Sequence, residues 1–334
     1  MALPYSFRPG LAQQAQALRL QDQPLRLREG HPETIAWRFD QGIGVPDYRF
    51  RVGDTLSLDL TNALPVPVNL NWYGLDGIAG AEPLLAERPL ASGQRATRSI
   101  PLRFAGTYFV ETRIGNERAA KPLPGAAFAV QEASPPQVDR DDILLIEDWR
   151  LKPDGSLLAP SQDSTGATTI YTINGKLDWN ILARPNQRLR LRFINGCHRS
   201  AIALRIDGHE PRVVAIDGRP AEPFPARDGR LILAPGTRID VLLDAARARK
   251  SVSPIHLHDG TTPRLIANLT YSDEPPVREA PMPAAAPLAS DGLPATIPLQ
   301  GAQRLDLAIG GARGEADWVT AERLSPQLAP VLSP

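Results

Sequence analysis

The side chains able to do metal or nucleophilic chemistry are few: five histidines and one cysteine in 334 residues. His256 and His258 lie two apart in Pro254-Ile255-His256-Leu257-His258-Asp259-Gly260. On a strand, residues two apart share a face, so this pair could hold a metal; the plainer reading is two ordinary strand histidines. Cys197-His198 follows the turn Asn195-Gly196, which fits a buried or half-buried free thiol. His31 and His209, like His256 and His258, flank Gly, Pro or Asp turns and fit solvated loops. A single cysteine excludes an internal disulfide framework and any Cys-rich zinc module. The acidic pairs Asp141-Asp142 and Glu147-Asp148 flank the short strand Ile143–Ile146 and read as caps or surface charges. No phosphate loop, nucleophile elbow or paired-carboxylate site is present. Lys+Arg and Asp+Glu both number 37, a balance that leaves no electrostatic footprint for nucleic acid.

The elements that would position these groups are strands. The 34 prolines are about twice the usual share and argue against long helices, since each interior proline removes a hydrogen bond and clashes with the preceding turn. Alternation of period two recurs. Leu56, Leu58 and Leu60 share one face of Thr55–Leu60; Leu189, Leu191 and Phe193 share one face of Arg188–Phe193, with Arg188, Arg190 and Arg192 facing out. Arg238–Asp244 alternates likewise. This pattern predicts half-buried antiparallel strands, bounded by turns at Val52-Gly53-Asp54, Asn174-Gly175, Asn195-Gly196 and Pro235-Gly236. Leu11–Leu20 is the one stretch that could form a helix of more than two turns. Residues 1–20 carry no apolar run long enough for a signal-peptide core or a membrane span, so the chain is expected to be cytosolic or separated from a leader.

An internal repeat aligns VGDTLSLDLTNAL (52–64) with PNQRLRLRFINGC (185–197), setting Asn62 against Asn195. A second match, in the same order, sets Leu90-Ala91-Ser92-Gly93-Gln94-Arg95 against Leu233-Ala234-Pro235-Gly236-Thr237-Arg238. Together they predict a duplicated all-β domain, with a boundary in Gln131–Gln137. Glu274–Pro298 is rich in Pro and Ala and reads as an extended linker. Arg304–Ile309 alternates like a strand, expected to dock as an edge strand or stay mobile, with Trp318 covering an apolar patch.

In framework and order, residues 30 to 273 resemble the multicopper oxidases, which are built from cupredoxin β-sandwiches. The resemblance rests on Arg51-Val52-Gly53-Asp54-Thr55, Thr61-Asn62-Ala63-Leu64, Tyr171-Thr172-Ile173-Asn174-Gly175, Asp217-Gly218 and Leu233–Leu242. It implies two cupredoxin-like Greek-key β-sandwich domains, at 20–135 and 138–273, followed by a Pro/Ala-rich linker and tail at 274–334, the remnant of a third domain.

The departures bear on function. Where the family has His-Trp-His-Gly this chain has Asn71-Trp72-Tyr73-Gly74, and where it has a second His-x-His pair this chain has Glu111-Thr112-Arg113. The four first-domain copper positions thus read as vacated: Asn71, Tyr73, Glu111 and Arg113. Five histidines cannot fill the eight His-x-His positions of the family. The resulting expectation is a non-catalytic, multicopper-oxidase-like binding or scaffold protein of the bacterial cell envelope. It would be periplasmic, with no cofactor, no nucleic acid partner, no membrane span and an envelope protein as partner. The alternatives are a copper-dependent oxidoreductase fragment lacking its third domain, and a metal-binding protein using His256 and His258. The four vacated positions should converge in space as a polar plug.

Overall fold

The computed structural model describes residues 16–40, 49–75, 89–114, 119–159, 162–289 and 300–301. In chain order the first eight strands are β1 (Gln16–Leu25), β2 (Thr34–Phe39), β3 (Arg49–Arg51), β4 (Thr55–Asn62), β5 (Asn69–Tyr73), β6 (Arg95–Pro101), β7 (Gly106–Arg113) and β8 (Gly125–Gln131). Then come β9 (Arg140–Leu151), β10 (Thr168–Ile173), β11 (Trp179–Ala183), β12 (Arg188–Asn195), β13 (Ile202–Ile206) and β14 (Arg212–Ile216). The last are β15 (Arg219–Pro225), β16 (Arg230–Leu233), β17 (Arg238–Asp244), β18 (Val252–His258) and β19 (Arg264–Tyr271). Four sheets result, ordered β2-β1-β4-β6, β3-β8-β7-β5, β10-β9-β12-β17-β14-β15 and β11-β19-β18-β13-β16. The first two enclose a core of Leu18, Leu20, Phe50, Leu56, Leu58, Trp72, Val110 and Phe128. The last two enclose Leu189, Leu191, Phe193, Leu204, Val241, Ile255 and Leu269. These are cupredoxin-like β-sandwiches.

The pairing is mixed rather than purely antiparallel. β4 pairs antiparallel with β6 but parallel with β1, and β12 pairs antiparallel with β17 but parallel with β9. Alternation reports which face of a strand is apolar, not the direction of its neighbour, so the sequence pattern could not separate the two. The possible helix at 11–20 is also corrected: from Gln16 onward the chain is already β1, and 11–15 lie outside the described residues. The strand expected at 304–309 and Trp318 lie outside them too.

The repeat extends to single hydrogen bonds. Asn62 is fully buried; its Nδ2 donates to the carbonyls of Val66 and Leu90, both at 2.8 Å, and its Oδ1 accepts from Leu64 N at 3.0 Å. Asn195, equally buried, donates to Ser200 O and Leu233 O, both at 2.9 Å, and accepts from Cys197 N at 3.0 Å. The turn that follows closes the same way in both halves, Gly93 N to Asn62 O at 2.7 Å and Gly236 N to Asn195 O at 2.8 Å. Each asparagine thus ties the end of one strand to the loop leading to the next through three hydrogen bonds to backbone groups.

The two sandwiches belong to one compact unit, and the reason lies in β12. Its apolar face fills the second core as the alternation requires. Its other face is not exposed: Arg188, Arg190 and Arg192 are 5%, 1% and 0% accessible. The expectation that these arginines face out onto solvent is corrected, because the first sandwich and the segment after β19 cover them. That segment is likewise no free linker as far as it is described. Arg184 donates to Pro275 O, Asn186 Nδ2 to Arg278 O, and Arg188 to Met282 O and Pro283 O. Leu288 packs with Val214, Ala215 and Leu242. It is a strap across the six-stranded sheet.

Replacing either asparagine by alanine removes three hydrogen bonds to the backbone in the interior. Asn62→Ala and Asn195→Ala are each expected to lower stability by roughly 3 kcal/mol. Denaturant unfolding measures this, and a loss under about 1 kcal/mol at either position would contradict the assigned role.

Candidate functional site

Strands β3, β7, β9, β12 and β17, with Glu132 just past β8, bring the polar and charged groups of the inter-sandwich seam together. On β7, Tyr108 and Val110 point into the first core, so Thr107, Phe109, Glu111 and Arg113 line the opposite face. Thr107 Oγ1 donates to Asp240 Oδ1 of β17 at 2.6 Å. Arg190 binds Glu132 end-on, Nη1 to Oε2 at 3.0 Å and Nη2 to Oε1 at 2.8 Å, and reaches Asp240 Oδ2 at 2.7 Å. Arg192 grips Asp141 in a fork, Nε to Oδ1 at 2.6 Å and Nη2 to Oδ2 at 2.8 Å, and donates to Thr107 Oγ1 at 2.9 Å. Arg49 of the first sandwich adds a further pair, 3.3 Å from Asp141. Arg238 donates to the backbone carbonyls of Thr107 and Asp217 at 2.9 and 2.7 Å. Gly106 makes this approach possible: a Cβ there would lie 2.4 Å from Gly218 O across the seam. Beside the charges, Phe109, Ala127 and Ala129 pack on Ile143, Leu145 and Ile194.

Asp141, Asp142, Glu147 and Asp148 were expected as caps or surface charges. Asp141 is instead a member of this network, while Asp142, Glu147 and Asp148 are buried, because β9 lies between β10 and β12. Burial alone would raise the Asp141 carboxyl; the attraction of Arg192, with Arg49 and Arg190, outweighs it and holds the group well below the ordinary carboxylate range. Glu147 moves the other way: burial pushes it up, and Arg38 only partly opposes this.

At one edge of the same face stand the four positions singled out in the sequence. Asn71 lies opposite Glu111 in the β5–β7 ladder, and Tyr73 opposite Phe109. Tyr73 Oη donates to Glu111 Oε2 at 2.8 Å; Arg113 donates to that oxygen from Nε at 3.0 Å and to Tyr73 Oη from Nη2 at 3.1 Å. The Tyr73 ring stacks on Phe109 with centroids 5.4 Å apart and approaches Gly236 of the second sandwich. Burial and the Glu111 charge raise the Tyr73 phenol above its ordinary value. His198 Nδ1 lies 4.0 Å from Glu111 Oε1, a neighbour that sequence reasoning missed because it comes from the other half of the chain.

The remaining candidates stay apart from this cluster. His256 and His258 share the outer face of β18. His256 Nδ1 is 3.4 Å from Asp207, and His258 Nδ1 accepts from Gly260 N at 3.0 Å. Cys197 is a buried thiol, pushed well up by burial and by Asp148 and Glu147. Among the described residues, no three His, Cys, Asp or Glu side chains are grouped to hold a metal ion.

The fold of this double sandwich is shared with solved multicopper oxidases. The family model for multicopper oxidases matches residues 140–253. "Multicopper oxidase MmcO" of Mycobacterium tuberculosis (strain ATCC 25618 / H37Rv) is 26% identical over 263 residues, covering 68% of this chain and 51% of that protein. "Copper resistance protein A" of Pseudomonas syringae pv. tomato is 23% identical, covering 60% of this chain and 41% of that protein. The crystal structure of a multicopper oxidase from Pseudomonas thermotolerans superposes with a TM-score of 0.69 at 23% identity, covering 84% of this chain and 68% of that one. Over these stretches the chain is similar to multicopper oxidases in sequence and in fold. It spans about half the length of the curated relatives it matches.

The expectation of no cofactor is therefore corrected: the relatives are named for copper. A histidine count taken over half a relative's length cannot decide the cofactor of the family. The cluster on β5 and β7 is a separate matter. None of its four positions carries an imidazole, the neighbouring His198 stands 4.0 Å from Glu111, and a guanidinium sits 2.8 Å from that carboxylate, so this donor set does not fit a copper ion.

Because the Asp141 carboxyl is depressed in the folded state, the stability it contributes is present above the ordinary carboxylate value, about 3.9. That contribution is lost as pH falls through the lower folded value. Asp141→Asn is expected to flatten the acid limb of a stability–pH curve; a limb as steep as in the unaltered protein would contradict the assignment.

Proposed function

We propose that this chain supplies two cupredoxin-like domains, at 20–135 and 138–273, of a multicopper-oxidase-like protein of the cell envelope. In it, the face formed by β5 and β7 serves as a structural and binding surface rather than a metal centre. The observation that carries this is the closed triad Tyr73–Glu111–Arg113, in which the cation position is taken by Arg113. The four positions Asn71, Tyr73, Glu111 and Arg113 are read as the family's first-domain ligand positions, replaced here by groups that bond one another. An extracytoplasmic, periplasmic setting rests on the family resemblance alone. The reading concerns these four positions and leaves copper as the family's cofactor.

A second reading is favoured by the match of 140–253 to the oxidase model: the chain forms part of a copper-dependent oxidoreductase whose redox centre is built by residues outside those described. Oxygen uptake by the copper-loaded protein in the presence of a reductant separates the two, because the scaffold reading expects none above free copper.

The triad itself is tested by copper analysis after loading and dialysis. Tyr73→Phe and Glu111→Gln should leave bound copper per chain unchanged. A stoichiometric fall in either variant would make the cluster a copper site and overturn the proposal. Arg113 is half exposed, its side chain 54% accessible, so Arg113→Ala should cost only about 0.2–1 kcal/mol in thermal or denaturant unfolding.

A further inference from the structure

The connection from β13 to β14 is fastened at one histidine. Residues 206–209 form a turn: His209 N donates to Ile206 O at 3.2 Å, and Gly208 takes the left-handed conformation with φ 71°. Asp207 N ties the turn to β18 through Pro254 O at 2.9 Å. The His209 ring folds back so that Nδ1 lies 3.0 Å from Asp207 O and Nε2 lies 2.6 Å from Tyr271 Oη at the end of β19. The two rings stack, with centroids 6.1 Å apart and 16° between their planes. Tyr271 is 1% accessible, while His209 is half-buried.

These contacts fix where the protons are. A carbonyl only accepts, so Nδ1 carries the hydrogen of the neutral ring. Nε2 is then the acceptor, and the Tyr271 hydroxyl donates to it. The same hydroxyl oxygen faces the backbone N–H of Arg247. A second proton on the ring would turn Nε2 into a donor. Tyr271 Oη would then meet two donors, and its own O–H would lose its acceptor in the interior, a loss that buried polar groups rarely tolerate. The surrounding charges act in the same direction. The Arg247 guanidinium, whose Nη1 donates to Ser253 Oγ at 3.2 Å, repels an imidazolium. The Asp207 carboxylate is turned to Arg205 and His256, at 3.7 and 3.4 Å. Glu210 on the same connection is exposed, as are Arg227 and Asp228 on the turn behind the His209 carbonyl. Burial, with Arg247, accordingly holds the His209 imidazole below its ordinary value, against the opposing bond to Asp207 O.

We propose that His209 is an acid-released clasp: on taking up a proton its ring leaves Tyr271, and the connection 206–211 opens from β19 while the sandwich cores stay closed. The clasp is shut above the ordinary imidazole value, about 6.5. It opens as pH falls through the lower folded value. It does not depend on the role given to the Tyr73 cluster.

Hydrogen exchange of the full chain, read by mass spectrometry and corrected for the intrinsic rate at each pH, tests this. Between about pH 7.5 and about pH 4.5, protection of 206–211 should fall at least about tenfold, with that of β12 unchanged. His209→Gln keeps a polar side chain that cannot be charged, so the acid step should vanish. Tyr271→Phe removes the donor that holds the neutral ring, so the midpoint of the step should move up toward about 6.5. Either variant decides the matter if the other does not fold. A step that persists in His209→Gln, a midpoint unmoved in Tyr271→Phe, no step at all, or one shared by β12 would each overturn the proposal.

Discussion

Arg190 and Arg192, two residues apart on β12, hold the two sandwiches to each other. Both guanidinium groups are out of reach of water, where an unpaired charge would cost several kcal/mol. They are tolerable because carboxylates arrive from three directions: Glu132 from the end of the first sandwich, Asp141 from β9 and Asp240 from β17. Thr107 and Arg49 complete the set from the first sandwich. A purely apolar seam could slide. Forked arginine–carboxylate pairs have directional geometry, so this layer fixes the register of one sheet on the other, while Phe109, Ile143 and Ile194 supply the adjoining apolar contact.

That fixed register determines what the rest of the seam can do. It brings Gly236 against the Tyr73 ring and His198 beside Glu111, so the cluster on β5 and β7 is framed by both sandwiches. It also leaves a cavity of about 250 Å³ beside Arg190, bordered by Leu288 of the strap. The duplicated asparagines work one level lower. Asn62 and Asn195 shape the same strand-to-loop turn in each half, and the halves diverge beyond it. Val68 meets Leu90 in a single bridge in the first half, whereas β13 and β16 form a full ladder in the second.

Much of this was legible in the residues. The alternation of Thr55–Leu60 and the register of Asn62 on Asn195 were local features, and local features survive folding. The fate of Arg188, Arg190 and Arg192 was not legible, because an outward arginine has the same period whether water or a buried carboxylate receives it. The same holds for Asp141 and Glu147, whose surroundings come from residues far away in sequence. Composition marked 274–298 as an extended linker, but could not show that Arg184, Asn186 and Arg188 would pin the backbone of its described part. Tyr73, Glu111 and Arg113 were named through a family resemblance. The hydrogen bonds between them follow from the antiparallel pairing of β5 with β7, and their contact with His198 follows only from the seam.

The central claim, that the arginine–carboxylate layer makes two sandwiches one cooperative body, is tested most directly by native-state hydrogen exchange. In the unaltered protein, amides of β4 and of β12 should share one opening free energy. In Asp240→Asn, which removes the charge shared by Arg190 and Arg192, the two should separate, one sandwich opening before the other. Equal protection of β4 and β12 in Asp240→Asn, or unequal protection before any substitution, would contradict it.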